Sequence, residues 1–249
     1  MAQNPDPAVE IQRRYYSENA GRYDHMHTHE GSQDGFSAKF VPAILRMLDA
    51  RSVLDVGTAT GKGMRDLKEA MPDLFVCGVE PVAALVQEAA RNGNIASGPI
   101  LQASGEALPF ADHSFDVVCE FGILHHVGNP AAVVKEMLRV ASKAVLISDS
   151  NRFGQGSLAM RFVKLVLYKL RLWDAYNYLR TGGKGYRITE GDGLAYSYSV
   201  YDSLEQVSQW ADRLVLIPLP SDARKSASWF HPLVTSGGVL LCAFREYSR

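Results

Sequence analysis

At 249 residues and 47% hydrophobic content, the chain can bury one large core, and a formal net charge of −1 excludes a global pull toward nucleic acid or anionic membrane. Cys77, Cys119 and Cys242 lie far apart in apolar runs with no C-x-x-C spacing, so they read as buried free thiols rather than a disulfide framework. The opening "MAQNPDPAVEIQRRYY" has no apolar h-region and no apolar run approaches the roughly 20 residues that span a bilayer, so the chain reads as a cytoplasmic protein.

Taken in order, residues 1–36 carry Tyr15, Tyr16 and Tyr23 ahead of any strand-like run. His25, His27 and His29 alternate in the same stretch, but alternation on an unassigned segment fixes no ligand geometry, and no metal is expected. Short runs at 52–57, 74–80, 100–104, 115–121 and 144–149 are apolar on both faces, as parallel strands covered on both sides should be. Helical patterns at 62–71, 83–92 and 131–141 alternate with them. This predicts a doubly wound α/β sheet with ligands at the carboxyl ends of its strands. Runs at 213–219 and 238–244, with no clear helix between them, are expected to pair antiparallel.

Between the fifth strand and a helix near Ser203 lies an insertion, 150–202, far longer than an ordinary connection. Its 157–173 stretch fits a helix with Arg161, Lys164, Tyr168 and Arg171 on one narrow face and apolar residues elsewhere. Over residues 150–200, eight Lys or Arg stand against three Asp or Glu, so this stretch is +5 and the remainder −6. The apolar surface must cover the top of the sheet, a second subunit in a homodimer, or a lipid-like acceptor. Tyr186, Tyr196, Tyr198 and Tyr201 follow, either lining an acceptor pocket or pairing across a hairpin.

The stretch "LDVGTATGKG", 54–63, ends the first strand. A phosphate-binding P-loop needs four residues between its first Gly and Gly-Lys and a Ser or Thr afterwards; here three separate Gly57 from Gly61-Lys62, and Gly63 follows. The dinucleotide pattern G-x-G-x-x-G fails as well, because Ala59 and Lys62 stand where glycines are required.

What remains, D-x-G-x-[GA]-x-G-x-G, resembles the first motif of class I S-adenosylmethionine-dependent methyltransferases. The resemblance extends over most of 37–150. "SGEALPFADHSFDVV", 104–118, is similar to that family's G-D-A-E-x-L-P-F-x-D-x-S-F-D, and "EFGILHHVGNP", 120–130, resembles the subgroup that includes ubiquinone and menaquinone biosynthesis methyltransferases. It implies a seven-stranded, mostly parallel sheet in one domain with the last strand antiparallel, closed by an N-terminal lid at 1–36 and a cap at 150–202. It also implies S-adenosyl-L-methionine as cofactor, held by Tyr16, Tyr23, Asp55, Gly57, Thr58, Ala59, Gly61, Glu80, Pro81, Ser104, Gly105, Glu106, Glu120 and Phe121.

In that family an acid at the Glu80 position accepts from the ribose hydroxyls. Ser104 replaces the Asp that usually approaches the adenine, and Ala59 replaces a glycine, tolerable if its φ is negative. His125 and His126 are candidate general bases, with packing or capping the alternative; Asp149, Tyr186, Tyr196 and Tyr198 are candidate acceptor contacts. The expected reaction is methyl transfer to a hydroxyl oxygen of a small molecule. Methylation at carbon of a quinone- or lipid-like acceptor and cofactor binding without catalysis are the alternatives. No nucleic-acid partner is expected, since the basic insertion carries no groove-reading or base-stacking motif.

Overall fold

A computed structural model of the chain describes residues 7–27, 33–189, 191–219 and 232–245. It begins with α1 (Pro7–Asn19), α2 (Tyr23–His27), α3 (Gln33–Ala38) and α4 (Val41–Met47), then alternates β1 (Ser52–Val56), α5 (Lys62–Ala70), β2 (Phe75–Val79), α6 (Ala83–Arg91) and β3 (Ile100–Leu101). The second half continues through β4 (Phe115–Phe121), α7 (Pro130–Val140) and β5 (Ala141–Ser150). The insertion holds α8 (Leu158–Lys169), α9 (Trp173–Arg180), β6 (Tyr186–Thr189) and β7 (Gly193–Tyr196). The chain then runs through α10 (Leu204–Trp210), β8 (Arg213–Leu219), α11 (Pro232–Thr235) and β9 (Gly238–Phe244).

Seven strands form one sheet in the order β3-β2-β1-β4-β5-β9-β8. β1 to β5 pair parallel; β9 pairs antiparallel with both β5 and β8, as expected for the last strand. Alternate side chains feed two cores. Leu54, Val56, Val118 and Val145 pack on the face shared with Val134 and Met137 of α7, while Val53, Val76, Val117 and Leu146 pack with Val41 and Leu45 of α4 and Met64 and Leu67 of α5. Each such fully buried aliphatic side chain contributes about 1.5–3 kcal/mol. The three cysteines are free and buried, as read. Among the described residues no helix is long and apolar enough to cross a membrane.

Three local readings change. The third strand pairs only at Ile100–Leu101, because as the sheet edge it has β2 alone for a partner. A one-turn helix, α11, lies between β8 and β9, where none was expected. The 157–173 helix breaks in two, with Arg171 in the left-handed region at φ 58. Its sidedness is also the reverse of an ordinary surface helix. Arg161 donates to the carbonyls of Gly156 (2.8 Å) and Val234 (2.6 Å), Lys164 to that of Arg152 (2.9 Å), and Tyr168 packs edge-on against Phe153. The polar stripe thus faces the protein, and Val163, Val166 and Leu170 are exposed.

Candidate active site

The motif loop follows β1 at the point where strand order reverses, the usual crevice for ligands in such sheets. Gly57 has φ +76, and a Cβ there would meet Ile123 Cγ2 at 2.4 Å, so only glycine lets the two loops approach. Asp55 is buried; its Oδ2 accepts from the Thr58 hydroxyl at 2.7 Å, and desolvation pushes its carboxyl up to about 6. Gly61, at φ 72, turns the chain into α5. Ala59 overturns the expectation of a negative φ: it stands at φ 50. Its N–H donates to Glu80 Oε2 at 3.0 Å, which pins the residue in a conformation costly for a side chain.

Glu80 is 4% exposed at the end of β2, and Val82 N donates to its other oxygen at 2.8 Å. Burial raises its carboxyl to about 7, outweighing those two donors. Each oxygen keeps a lone pair for a further donor, the requirement for holding two neighbouring hydroxyls. A cavity of about 390 Å³ is bordered by Asp55, Gly57, Thr58, Ala59, Phe121 and Tyr23. The glycine-dependent turn, the buried paired-acceptor acid and this cavity fit the cofactor that the motif implies.

Glu80, Gly61 and the remaining expected cofactor residues lie around it rather than on its wall. Pro81 is half-buried before α6, and Ser104 Oγ accepts from Glu106 N at 3.2 Å, with Glu106 exposed. Gly105 lies against Val56 and Val133. Glu120 is fully buried and accepts from Ile123 N at 3.0 Å, shaping the turn after β4. Tyr16 packs with Ala20, Ala59, Val82 and Leu85, and Tyr23 stacks on His27 with ring centroids 4.6 Å apart. Thr60, not singled out from sequence, borders the cavity and bonds Asp24 through its hydroxyl. His25 is exposed, and His29 lies outside the described residues.

The two histidines follow β4. His125 Nδ1 lies 2.8 Å from Oδ1 of Asp149, a fully buried residue on β5; since the carboxylate only accepts, Nδ1 carries the hydrogen and Nε2 points the other way. Asp149 also accepts from Leu124 N (2.8 Å) and His125 N (3.2 Å), which sets its orientation. Across from it, His125 Nε2 stands 3.3 Å from Asp192, at the turn between β6 and β7. His126 donates from Nδ1 to the Leu194 carbonyl (2.7 Å); its Nε2 meets Tyr16 Oη at 3.0 Å and Asp192 at 3.3 Å. His125, His126 and Asp192 are the donor set nearest to a cation site among the described residues. Their facing atoms, however, are already engaged with one another. Although burial disfavours its charge, the charges and hydrogen bonds of Asp149 and Asp192 hold the His125 imidazole well above its ordinary value, and both carboxyls titrate low in return.

A second cavity, about 480 Å³, is bordered by His125, Asp192, Tyr186, Tyr196 and Tyr198 together with basic residues of the insertion. Tyr186 and Tyr196 also face each other across the hairpin, rings 5.8 Å apart, so the cross-strand pairing is seen for these two while both also border the cavity. Tyr198 is buried with its hydroxyl 2.7 Å from Ser203 Oγ, whereas Tyr201 packs toward the core and Phe153. Asp149 was expected to touch the acceptor and instead backs His125. Asp192, Arg152 and Trp173 escaped the sequence reading; only the "GDG" turn at 191–193 marked the first of them. The two cavities share a clasp: Gln12 of α1 accepts from Leu194 N at 2.5 Å and donates to the Asp192 carbonyl at 3.5 Å. A Cβ on Gly193 would lie 2.7 Å from Gln12 and Tyr15, so that contact depends on glycine.

Residues 54–147 match the family model described as a methyltransferase domain. A demethylmenaquinone methyltransferase of Roseiflexus castenholzii is 33% identical over 192 residues, 70% of this chain and 78% of that protein. An uncharacterized methyltransferase of Mycolicibacterium gilvum is 38% identical over 89 residues, but the match covers only 36% of this chain and 34% of that one. Among solved structures, the Synechocystis magnesium protoporphyrin IX methyltransferase with bound SAH superposes with a TM-score of 0.61 at 16% identity, covering 97% of this chain and all of that one. The matched motif region, the long relative and the sheet order agree: the chain belongs to the class I S-adenosylmethionine-dependent methyltransferases, type 11.

Proposed function

We propose that the protein methylates a hydroxyl oxygen of a small-molecule acceptor held in the larger cavity, with His125 as general base. The observation that carries this is the His125–Asp149 pair, whose buried carboxylate fixes the Nδ1 hydrogen and leaves Nε2 facing the cavity side. The cofactor, when bound, supplies an electrophilic methyl group. The chain's own work is to align the acceptor, exclude water and accept one proton at His125 Nε2. Asp149 stabilises the imidazolium that results. Asp192 occupies that face of the imidazole, so the acceptor hydroxyl takes its place there. Helices α1 and α2 cover the motif loop and the insertion covers the acceptor.

Incubation with methyl-labelled S-adenosylmethionine and a panel of phenols, sugars and isoprenoid quinones tests the reading. Label in a methyl ether, with single-turnover rates lowered about 10²–10⁴-fold in His125→Ala, supports it. Label on a ring carbon would favour a second reading, methylation at carbon, which relatedness to a demethylmenaquinone methyltransferase supports and which needs the same base. Cofactor binding with no transfer to any acceptor, where folded protein is shown, would sink both.

A further inference from the structure

We propose that the larger cavity selects an acceptor bearing an anionic group, a carboxylate or a phosphate, gripped by the basic residues of the insertion at the end away from His125; this rests on that cavity being the acceptor site. Four cations border the cavity: Arg152, Lys164, Arg180 and Arg187. Among the described residues the one acid on its wall, Asp192, is already engaged by His125 and His126 at 3.3 Å each. Like charges do not gather around a hollow without a counter-charge to gain, since their repulsion grows as water is excluded.

Two buried donors point the same way. Arg152 is 5% exposed; one terminal nitrogen pairs with Asp202, but its Nε has no acceptor among the described residues. Trp173, 3% exposed, has none among them for its ring Nε1. Buried N–H groups are nearly always paired, and leaving one unmet is costly, so two on one cavity wall mark where ligand oxygens belong. The Arg152 and Arg180 guanidiniums lie 5.3 and 6.0 Å from the Trp173 ring centre, which limits how far each can turn away. Among the described residues Lys164 donates only to the carbonyls of Arg152 and Gln155, and no carboxylate there pairs with it. Burial and the surrounding arginines Arg180, Arg152, Arg161 and Arg187 hold its ammonium below the usual lysine range, a repulsion that a bound anion would relieve.

Calorimetry on the full chain saturated with S-adenosylhomocysteine tests this with three probes: benzoate, inorganic phosphate and the neutral benzamide. Benzoate or phosphate should bind at least about tenfold tighter than benzamide, with affinity falling as salt rises, because a charge-assisted bond lost is about a tenfold loss. The tighter of the two anions identifies the group. Arg180→Gln with Arg187→Gln, both exposed positions, should weaken that anion about tenfold or more while cofactor affinity holds. Arg152→Lys, checked for an intact melt, should weaken it as well, because the fixed fork is lost. Equal binding of benzamide and benzoate, no binding of either anion at millimolar concentration, or unchanged anion affinity in the double variant would overturn the proposal. If anions bind as expected but no acceptor of any charge is methylated, the catalytic reading fails and the anion site stands.

Discussion

Replacing Asp149 by Asn separates a catalytic base from a packed histidine, because the structure dictates how the amide must sit. Oδ2 of Asp149 accepts two backbone hydrogens, from Leu124 and His125, and Oδ1 faces His125 Nδ1 and Ser150 N. An asparagine has one acceptor oxygen, and keeping the Leu124 and His125 donors satisfied puts that oxygen where Oδ2 stands, at the expense of the single Ser150 N–H bond to Oδ1. Its NH₂ then donates to His125 Nδ1, the hydrogen moves to Nε2, and the face needed to take a proton is blocked. The single-turnover rate should fall about 10²–10⁴-fold.

The wild-type rate should climb with pH through a value above that of ordinary histidine, since the base must first lose the proton that Asp149 and Asp192 hold on it. The stability signs are opposite for the partners. The raised His125 contributes stability below about pH 6.5 that is lost as pH rises through its folded value; the lowered Asp149 contributes above about pH 4 and loses it on acidification. The pair therefore stabilises most between those limits, so Asp149→Asn should lower the melting temperature in that window, a loss on the order of 1–3 kcal/mol, and flatten the declines on either side of it. Single-turnover transfer of labelled methyl from about pH 6 to 9, with folding checked by melts, decides it. A wild-type rate with an unmoved profile in Asp149→Asn would refute both the tautomer argument and the base.

Glu80→Ala should weaken S-adenosylmethionine binding by about 1.5–3 kcal/mol. With the Glu80 carboxyl raised to about 7, wild-type affinity measured by calorimetry should fall on acidification below that pH, while the variant stays flat; unchanged affinity in Glu80→Ala would remove it from the site. Ser104→Asp should bind the cofactor equally or more tightly, and a marked loss would mean the 104–118 stretch is wrongly placed. Ala59→Gly relieves about 1 kcal/mol of left-handed strain and gives up about 0.8 kcal/mol of buried methyl, so denaturant melts should move by less than about 0.5 kcal/mol. A loss beyond about 2 kcal/mol would show that no strain is present there.

The sheet and the motif loop were legible because their chemistry is written in consecutive residues: Gly57 and Gly61 for positive φ, Glu80 at a strand end, apolar runs with two buried faces. The sign of φ at Ala59 was not, since it is set by a carboxylate 21 positions away. His125 could be named from its neighbours, but its orientation comes from Asp149 and Asp192, brought together by the β4–β5 pairing and by the hairpin of the insertion. The partners of the α8 stripe were not legible for a related reason. Arg161 and Lys164 reach backbone carbonyls left open by the 152–156 turn and by α11, which are set by the fold and not by neighbouring residues.

The clasp of Gln12 on the β6–β7 turn bears on the timing of turnover. The helix that shields the motif loop through Tyr16 is tied to the turn that presents Asp192 to both histidines. Lifting either one breaks the Gln12 bonds or the Tyr16–His126 bond, so the two entrances unlock together rather than independently. On the proposed reading, an acceptor that displaces Asp192 would also loosen the helix over the motif loop, so that product release and entry of the next methyl donor would share one latch at Gln12.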